Sequence, residues 1–311
     1  MKKLYAKKKR SFWQNLYRYR FLYFLLMPAL LSTLIFSYLP MPGIIIAFID
    51  FDIFKGFTGS QFVGLENFRF IFKSSAFLGA IKNTIVYSSV LLVLGFVMPI
   101  GLALMFNEIK NLKFKKVVQT ISYMPYFLSW ASVIALVYAF FGNYGTYNDL
   151  MARLLGEGYE RTNLLMYADN FLGFVVGTHM WKNLGWSSVI YMAAIAGIDP
   201  SLYEAAEIDG ANRLQKAMHI TLPGIAVTAV VILIMSVGSL IGSNFEQVYG
   251  LQNIFTQEAT ETINTLVYRQ GLCNGNYSKA TAFGLFQGII SFILVTTVNK
   301  VSKKTANMSV W

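Results

Sequence analysis

Six stretches of the chain stay apolar long enough to cross the hydrocarbon core of a bilayer, which takes ~20 residues of helix. They run over Phe21–Ile49, Ile81–Met105, Val117–Phe141, Phe171–Ala196, Leu222–Ser243 and Ala280–Val298. Pro40 and Pro42 predict that the first helix stops or bends near its end. Gly95, Pro99 and Gly101 predict a kink in the second, at a depth where irregular backbone has to be buried in protein. No soluble domain, low-complexity tract or internal repeat interrupts the pattern. The expectation is one all-α integral membrane domain of six transmembrane helices over residues 21–299, containing a polar loop at 199–222. A basic segment, 1–20, precedes it and a short tail, 300–311, follows.

Composition agrees with this reading. Of 311 residues, 55% are hydrophobic and only 13% charged, too little charge to cover a water-soluble body. The aromatic content of 16% suits a chain with two membrane interfaces, where Trp and Tyr are favoured. Met1–Arg20 followed by an apolar run mimics a signal peptide. That run is too long for such a segment and no small-residue cleavage site follows it, so an uncleaved first span is expected. The single Cys273 excludes an internal disulfide, and with only His179 and His219 beside it no metal site is expected.

The net charge of +11 acquires meaning from its distribution. Six spans put both termini on one side. Flanks on that side carry Lys2, Lys3, Lys7, Lys8, Lys9, Arg10, Arg18, Arg20, Lys110, Lys113, Lys115, Lys116, Arg213, Lys216, Lys300, Lys303 and Lys304. Opposite loops hold Lys55, Arg69, Lys73, Arg153, Arg161, Arg269 and Lys279. The bias predicts cytoplasmic termini. A nucleic-acid face would need a basic soluble surface, and none is foreseen, so nucleic acid is excluded as a partner.

The most informative stretch is the loop between the fourth and fifth runs, Asp199-Pro200-Ser201-Leu202-Tyr203-Glu204-Ala205-Ala206-Glu207-Ile208-Asp209-Gly210. Asp199 can cap a short helix with Pro200 in its first position, and Gly210 can end it. A second short helix is expected from about Ala211 to His219. Thr221 is then expected to cap the fifth span, with Leu222 and Pro223 in its first turn. Ala205, Ala206 and Gly210 would let another protein approach closely.

Glu-Ala-Ala, three residues, Gly, nine residues and Ile-x-Leu-Pro resembles the signature loop of binding-protein-dependent ABC importer permeases. The similarity extends to the carbohydrate (polysaccharide and oligosaccharide) branch. Phe21-Leu22-Tyr23 to Pro28 and Tyr38-Leu39-Pro40-Met41-Pro42-Gly43 resemble its first span, and Val63-Gly64-Leu65-Glu66-Asn67-Phe68 its first outer loop. Trp181-Lys182-Asn183-Leu184-Gly185-Trp186, Phe245-Glu246-Gln247, Tyr268-Arg269-Gln270-Gly271-Leu272 and Ser309-Val310-Trp311 are similar too. Val227 departs from the pattern, since the branch commonly has a second proline there.

The resemblance implies the type I ABC importer permease fold and import of an oligosaccharide across a bacterial cytoplasmic membrane. It implies a second homologous permease subunit in a heterodimer, two ABC ATPase subunits and an extracytoplasmic sugar-binding lipoprotein as partners, besides membrane lipid. It assigns ATPase coupling to Glu204, Ala205, Ala206, Asp209, Gly210, Leu222 and Pro223. No G-x-x-x-x-G-K-[ST] phosphate loop occurs in the chain, so ATP is expected to be bound by the partner ATPase, with no cofactor or catalytic residue here.

Candidate substrate-path residues are Trp181, Lys182, Asn183 and Trp186 in the fourth run, with Asn244 and Glu246 at the outer end of the fifth. Sugars offer hydroxyls to Asn and Lys and C–H patches to aromatic faces. A lysine at membrane depth is costly and faces a cavity or a partner. Alternatively Lys182 snorkels or pairs with a carboxylate of the second permease, the tryptophans pack, and Asn244 and Glu246 form a solvated helix end. Tyr123, Tyr126 and Trp130 read most simply as core aromatics, and Gly238 with Gly242 as a small-residue packing pair. An ABC permease for another small solute is the alternative function. A secondary transporter fits less well, for it would be expected to have more spans and several intramembrane charges.

Overall fold

The structure, a computed structural model, describes residues 17–156, 158–239, 242 and 244–306. The basic segment ahead of Tyr17, most of the close of the fifth run and Ser309-Val310-Trp311 lie outside the described residues. Helix α1 (Arg20–Thr33) widens into a π turn over Leu34–Tyr38, and a 3-10 segment, Met41–Phe48, follows. The break at Leu39-Pro40 falls where the prolines predicted it. No residue of α1 is buried, whereas Ala47, below the prolines, is fully enclosed. A short antiparallel pair follows, β1 (Ile49–Asp50) with β2 (Gln61–Phe62), registered Ile49 to Phe62. Buried Asn67, on α2 (Glu66–Lys73), donates to the Ala47 and Ile49 carbonyls at 3.0 and 3.1 Å. Those two bonds tie the loop to the end of the first span.

Helix α3 (Ser75–Asn107) is the spine of the molecule and runs through Pro99 without interruption. Three apolar clusters lie along it. Phe77 and Ala80 pack with Ile263 and Phe283, then Tyr87 and Leu91 with Phe171, Val175 and Leu251. Near its other end Ala103 packs with Tyr191, Ile195 and Ile225. Helix α7 (Ala168–Ala196) lies against much of this length. The outward surfaces of both helices are mostly apolar, with Val93, Val97 and Met98 on α3 and Trp181, Trp186 and Ile190 on α7.

The third run departs from expectation. It is not one continuous helix but α4 (Leu112–Tyr123), a 3-10 turn over Met124–Phe127, and α5 (Trp130–Phe141). The arms Leu112–Phe127 and Trp130–Leu155 meet at 99°, the second arm including α6 (Thr146–Leu155). Pro125 removes a helical donor, Leu128 is extended, and the Ser129 side chain caps α5 by accepting from the Ser132 amide.

Among the described residues four bodies are long and apolar enough to cross a membrane by themselves: Arg20–Phe48, Ser75–Asn107, Arg213–Gly238 and Tyr277–Lys304. Counted as one span, the bent pair makes a fifth. Helix α7, the fourth predicted span, has the length, but Asp169, Asn170, Thr178, His179, Lys182 and Asn183 dilute its apolar character.

The fifth span also starts differently. After α8 (Pro200–Ile208), the short α9 (Arg213–Lys216) passes through a π turn, Ala217–Thr221, into α10 (Leu222–Ser239) with no break. Thr221 is therefore buried inside a continuous helix and is not its cap. The wide turn makes room before Pro223, which lacks an amide proton and would crowd a normal preceding turn. Gly238 and Gly242 both face the last helix, α14 (Tyr277–Ala306). A Cβ on them would meet Val295 at 2.9 Å and Gln287 at 3.3 Å.

Between α10 and α14 the chain folds into three short helices, α11 (Phe245–Leu251), α12 (Gln257–Thr260) and α13 (Ile263–Tyr268). Polar side chains fasten them to α3, to α7 and to one another. Asn83 donates to the Ala259 and Glu261 carbonyls, and Gln247 to the Val175 carbonyl and the Thr178 hydroxyl. Arg269 reaches Gln252 at 2.7 Å and Glu261 at 3.3 Å.

Candidate functional site

The loop built by α8 and α9 projects at the same end of the molecule as the lysine-rich start of α4. Asp199 accepts from the Ser201 amide at 2.9 Å and Pro200 takes the first helical position. That bond holds the Asp199 carboxyl below its ordinary value. Gly210 ends the turn at φ +76°, a left-handed conformation that any Cβ would strain. A capping box of Asn212 and Gln215 opens α9.

Three contacts brace this loop against the fifth span. Tyr203 and Thr221 share a hydroxyl bond of 2.9 Å, Lys216 reaches Glu207 at 2.6 Å, and Gly224 lies so close to Ile198 that a Cβ would fall 2.6 Å from it. The Lys216 ammonium holds the Glu207 carboxyl below its ordinary value. Arg213 crosses to Glu108 at 3.4 Å, joining the loop to the end of α3.

What faces outward is unusually apolar. Glu204, Ala205 and Asp209 are exposed together with Leu202, Leu214, Met218 and an Ile208 that is 88% exposed. A notch of about 290 Å³ opens between Ala206, Asp209, Gly210, Ala211, Lys216 and His219. Leu222 is half-buried against the cluster of Ala103, Tyr191 and Ile225, and Pro223 is exposed beside it. Charged, apolar and concave features thus share one rigid projection, which can seat another protein.

The second group of residues gathers around the break in the third run. Lys182 is 7% exposed and donates to the Tyr126 carbonyl at 2.6 Å and the Leu128 carbonyl at 2.7 Å. Its ammonium also lies 5.2 Å from the Tyr126 ring and 5.5 Å from that of Trp130. One turn along α7, Trp186 stacks on Tyr126 with centroids 4.7 Å apart and planes 9° off parallel, while Phe127 meets it edge-on at 5.7 Å. Trp186, Tyr126 and Phe127 all remain accessible. The reading of Tyr126 as a core aromatic is therefore corrected: the break turns it to the surface.

The other candidates do not join this group. Trp181 faces away, into a groove of about 830 Å³ between α5 and α7, with Phe140, Phe174, Gly173 and Gly177. Asn183 donates back to the His179 carbonyl of its own helix at 3.0 Å. Asn244 sits at φ +72° at the start of α11. Glu246, exposed in the first turn of α11, is near enough to act electrostatically on the Lys182 ammonium. Among the described residues no cluster of His, Cys, Asp and Glu could hold a metal ion.

Similarity to known proteins points the same way as the loop. The family described as "Binding-protein-dependent transport system inner membrane component" matches residues 95–304. Protein LplB of Bacillus subtilis (strain 168) is 39% identical over 302 residues, covering 97% of this chain and 94% of that protein. The polygalacturonan/rhamnogalacturonan transport system permease protein YteP of the same organism is 40% identical over 291 residues, covering 93% and 90%. Among solved structures, a bacterial alginate ABC transporter in complex with alginate pentasaccharide-bound periplasmic protein contains a chain that matches with a TM-score of 0.87. That chain is 36% identical, and the match covers 97% of this chain and all of that one.

Proposed function

Since this chain belongs to the family of binding-protein-dependent transport system inner membrane components, we propose that it is one permease subunit of an ABC importer for oligosaccharides. The observation that carries the reading is the projecting loop of α8 and α9. A docking surface with an exposed glutamate, bare apolar side chains and a notch at Gly210 is braced onto the fifth span. A push on such a loop passes directly into the membrane helices.

The orientation follows from the lysine and arginine bias: the loop and both termini face the cytoplasm of a bacterium. The ATPase that drives transport is a separate pair of subunits seated on Glu204, Ala205, Ala206, Asp209 and Gly210, and this chain splits no ATP itself. An extracytoplasmic sugar-binding protein delivers the cargo at the opposite face. The second half of the pathway comes from a homologous permease. Helix α1 supports this, since an apolar helix with no buried residue in its own subunit offers its surface to a partner as well as to lipid.

The saccharide passes beside the broken third span, where the stacked Tyr126–Trp186 pair offers aromatic faces to sugar C–H groups. Relatives that carry polygalacturonan, rhamnogalacturonan or alginate support a saccharide as cargo. Affinity purification of this chain from its own membranes tests the assembly. The expected partners are one homologous permease and two copies of an ATPase, with ATP hydrolysis that rises when a saccharide-loaded binding protein is added. A chain that purifies with no ATPase, or an ATPase that answers only to amino acids, would overturn the proposal.

A further inference from the structure

A helix broken inside a membrane exposes carbonyl groups that lipid cannot satisfy. At the 99° break of the third span two such carbonyls, of Tyr126 and Leu128, converge on one point, and the Lys182 ammonium occupies it. Three features show that α7 is built to bring it there. Gly185, three residues on and on the same face, lies so close to α4 that a Cβ would fall 2.0 Å from the Ser122 carbonyl oxygen. The rings of Tyr126 and Trp130 flank the ammonium within cation–π range. Among the described residues no carboxylate lies at ion-pair distance from it, so its hydrogen bonds go to backbone.

We infer that Lys182 is a positioning residue, whose ammonium holds the third span in its bent form and so keeps Tyr126 stacked on Trp186. A cation is suited to this place because the end of a helix carries partial negative charge, and charge-assisted bonds to carbonyls are about twice as strong as neutral ones. Lys182 thus acts through Tyr126, one of whose faces Trp186 covers, and it does not contact the cargo. The inference rests on the proposed pathway only for what the aromatic pair does. The bend itself can be measured without any saccharide.

The test is a distance between spin labels at Leu112→Cys and Leu154→Cys, one on each arm of the bend, in the assembled complex with Cys273→Ser. In Lys182→Met the distribution is expected to broaden and move by about 5 Å or more, the rise of one helical turn. Lys182→Arg, which keeps a cation with several donors, is expected to restore the original distance. If Lys182→Met does not assemble, Lys182→Gln, with a neutral donor, is read in its place and is expected to show the broadened distribution. An unchanged distance in the variant that assembles, or an arginine variant displaced as far as the methionine one, would overturn the inference.

Discussion

Replacing Gly185 by alanine adds one methyl group where α7 crosses close against α4. The new Cβ would lie 2.0 Å from the Ser122 carbonyl oxygen and 2.5 Å from its carbon. A relaxed carbon–oxygen contact needs roughly 3.3 Å, so α7 and α4 would have to separate by on the order of 1 Å. Both obstacles are backbone, and no rotamer change relieves them. Lys182 rides on the same face of α7, and its bonds of 2.6 and 2.7 Å would stretch toward the limit of hydrogen bonding. Overpacking costs about 1–3 kcal/mol and each weakened charge-assisted bond adds to it, so a loss of roughly 3 kcal/mol is expected. The assay is thermal unfolding of the purified complex, with Gly79→Ala and Gly284→Ala as controls, because a Cβ at either meets nothing within 4 Å. Gly185→Ala should lower the midpoint by about 5 °C or more and weaken ATPase stimulation, while the controls stay near wild type. A Gly185→Ala complex as stable as Gly79→Ala would refute the close approach and the argument built on it.

Three further outcomes are expected. Gly210→Val, which forces a β-branched residue to φ +76°, should abolish binding-protein-stimulated ATP hydrolysis without preventing membrane insertion, and Glu204→Lys should reduce ATPase recovery on copurification. Arg269→Met strands Glu261, whose side chain is 10% exposed, and should cost ~3–5 kcal/mol in thermal unfolding, part of it recovered when Glu261→Gln is added. Because Lys216 lowers the Glu207 pKa from its ordinary 4.5, their bond is fully formed above that pH and is lost as pH falls through the lowered value. A spin label at Ile208→Cys should therefore gain mobility only on acidification below the ordinary carboxylate range, and Glu207→Gln should remove that transition.

Much of this architecture can be read from the residues because bilayers impose a length and caps impose spacing. The apolar runs located the helical bodies, and Asp199-Pro200 with Gly210 bounded α8 where it lies. The broken span was hidden because Val117–Phe141 is apolar on both sides of the break, and hydropathy is blind to direction. Its local signs were Pro125 and a serine, Ser129, placed to cap a new helix. Asn212 and Gln215 likewise spelled a capping box that marks the true start of α9, while Thr221, a good cap by type, lies inside a helix that widens and continues. Lys182 stood out as an ion at membrane depth. Its partners are carbonyls 54 and 56 residues away in sequence, and backbone acceptors leave no mark on composition. Trp181 and Trp186 look equivalent in sequence, yet five residues of helix turn them toward different surfaces.

This chain forms part of an ATP-driven path for saccharides. That role is tested most directly by uptake into sealed liposomes containing the purified complex, with labelled acidic and neutral oligosaccharides, the binding protein outside and ATP inside. Accumulation of an oligosaccharide is expected that needs both ATP and the binding protein, and that disappears in Gly210→Val. Uptake that runs without ATP, or ATP-driven accumulation of a non-saccharide solute alone, would contradict it.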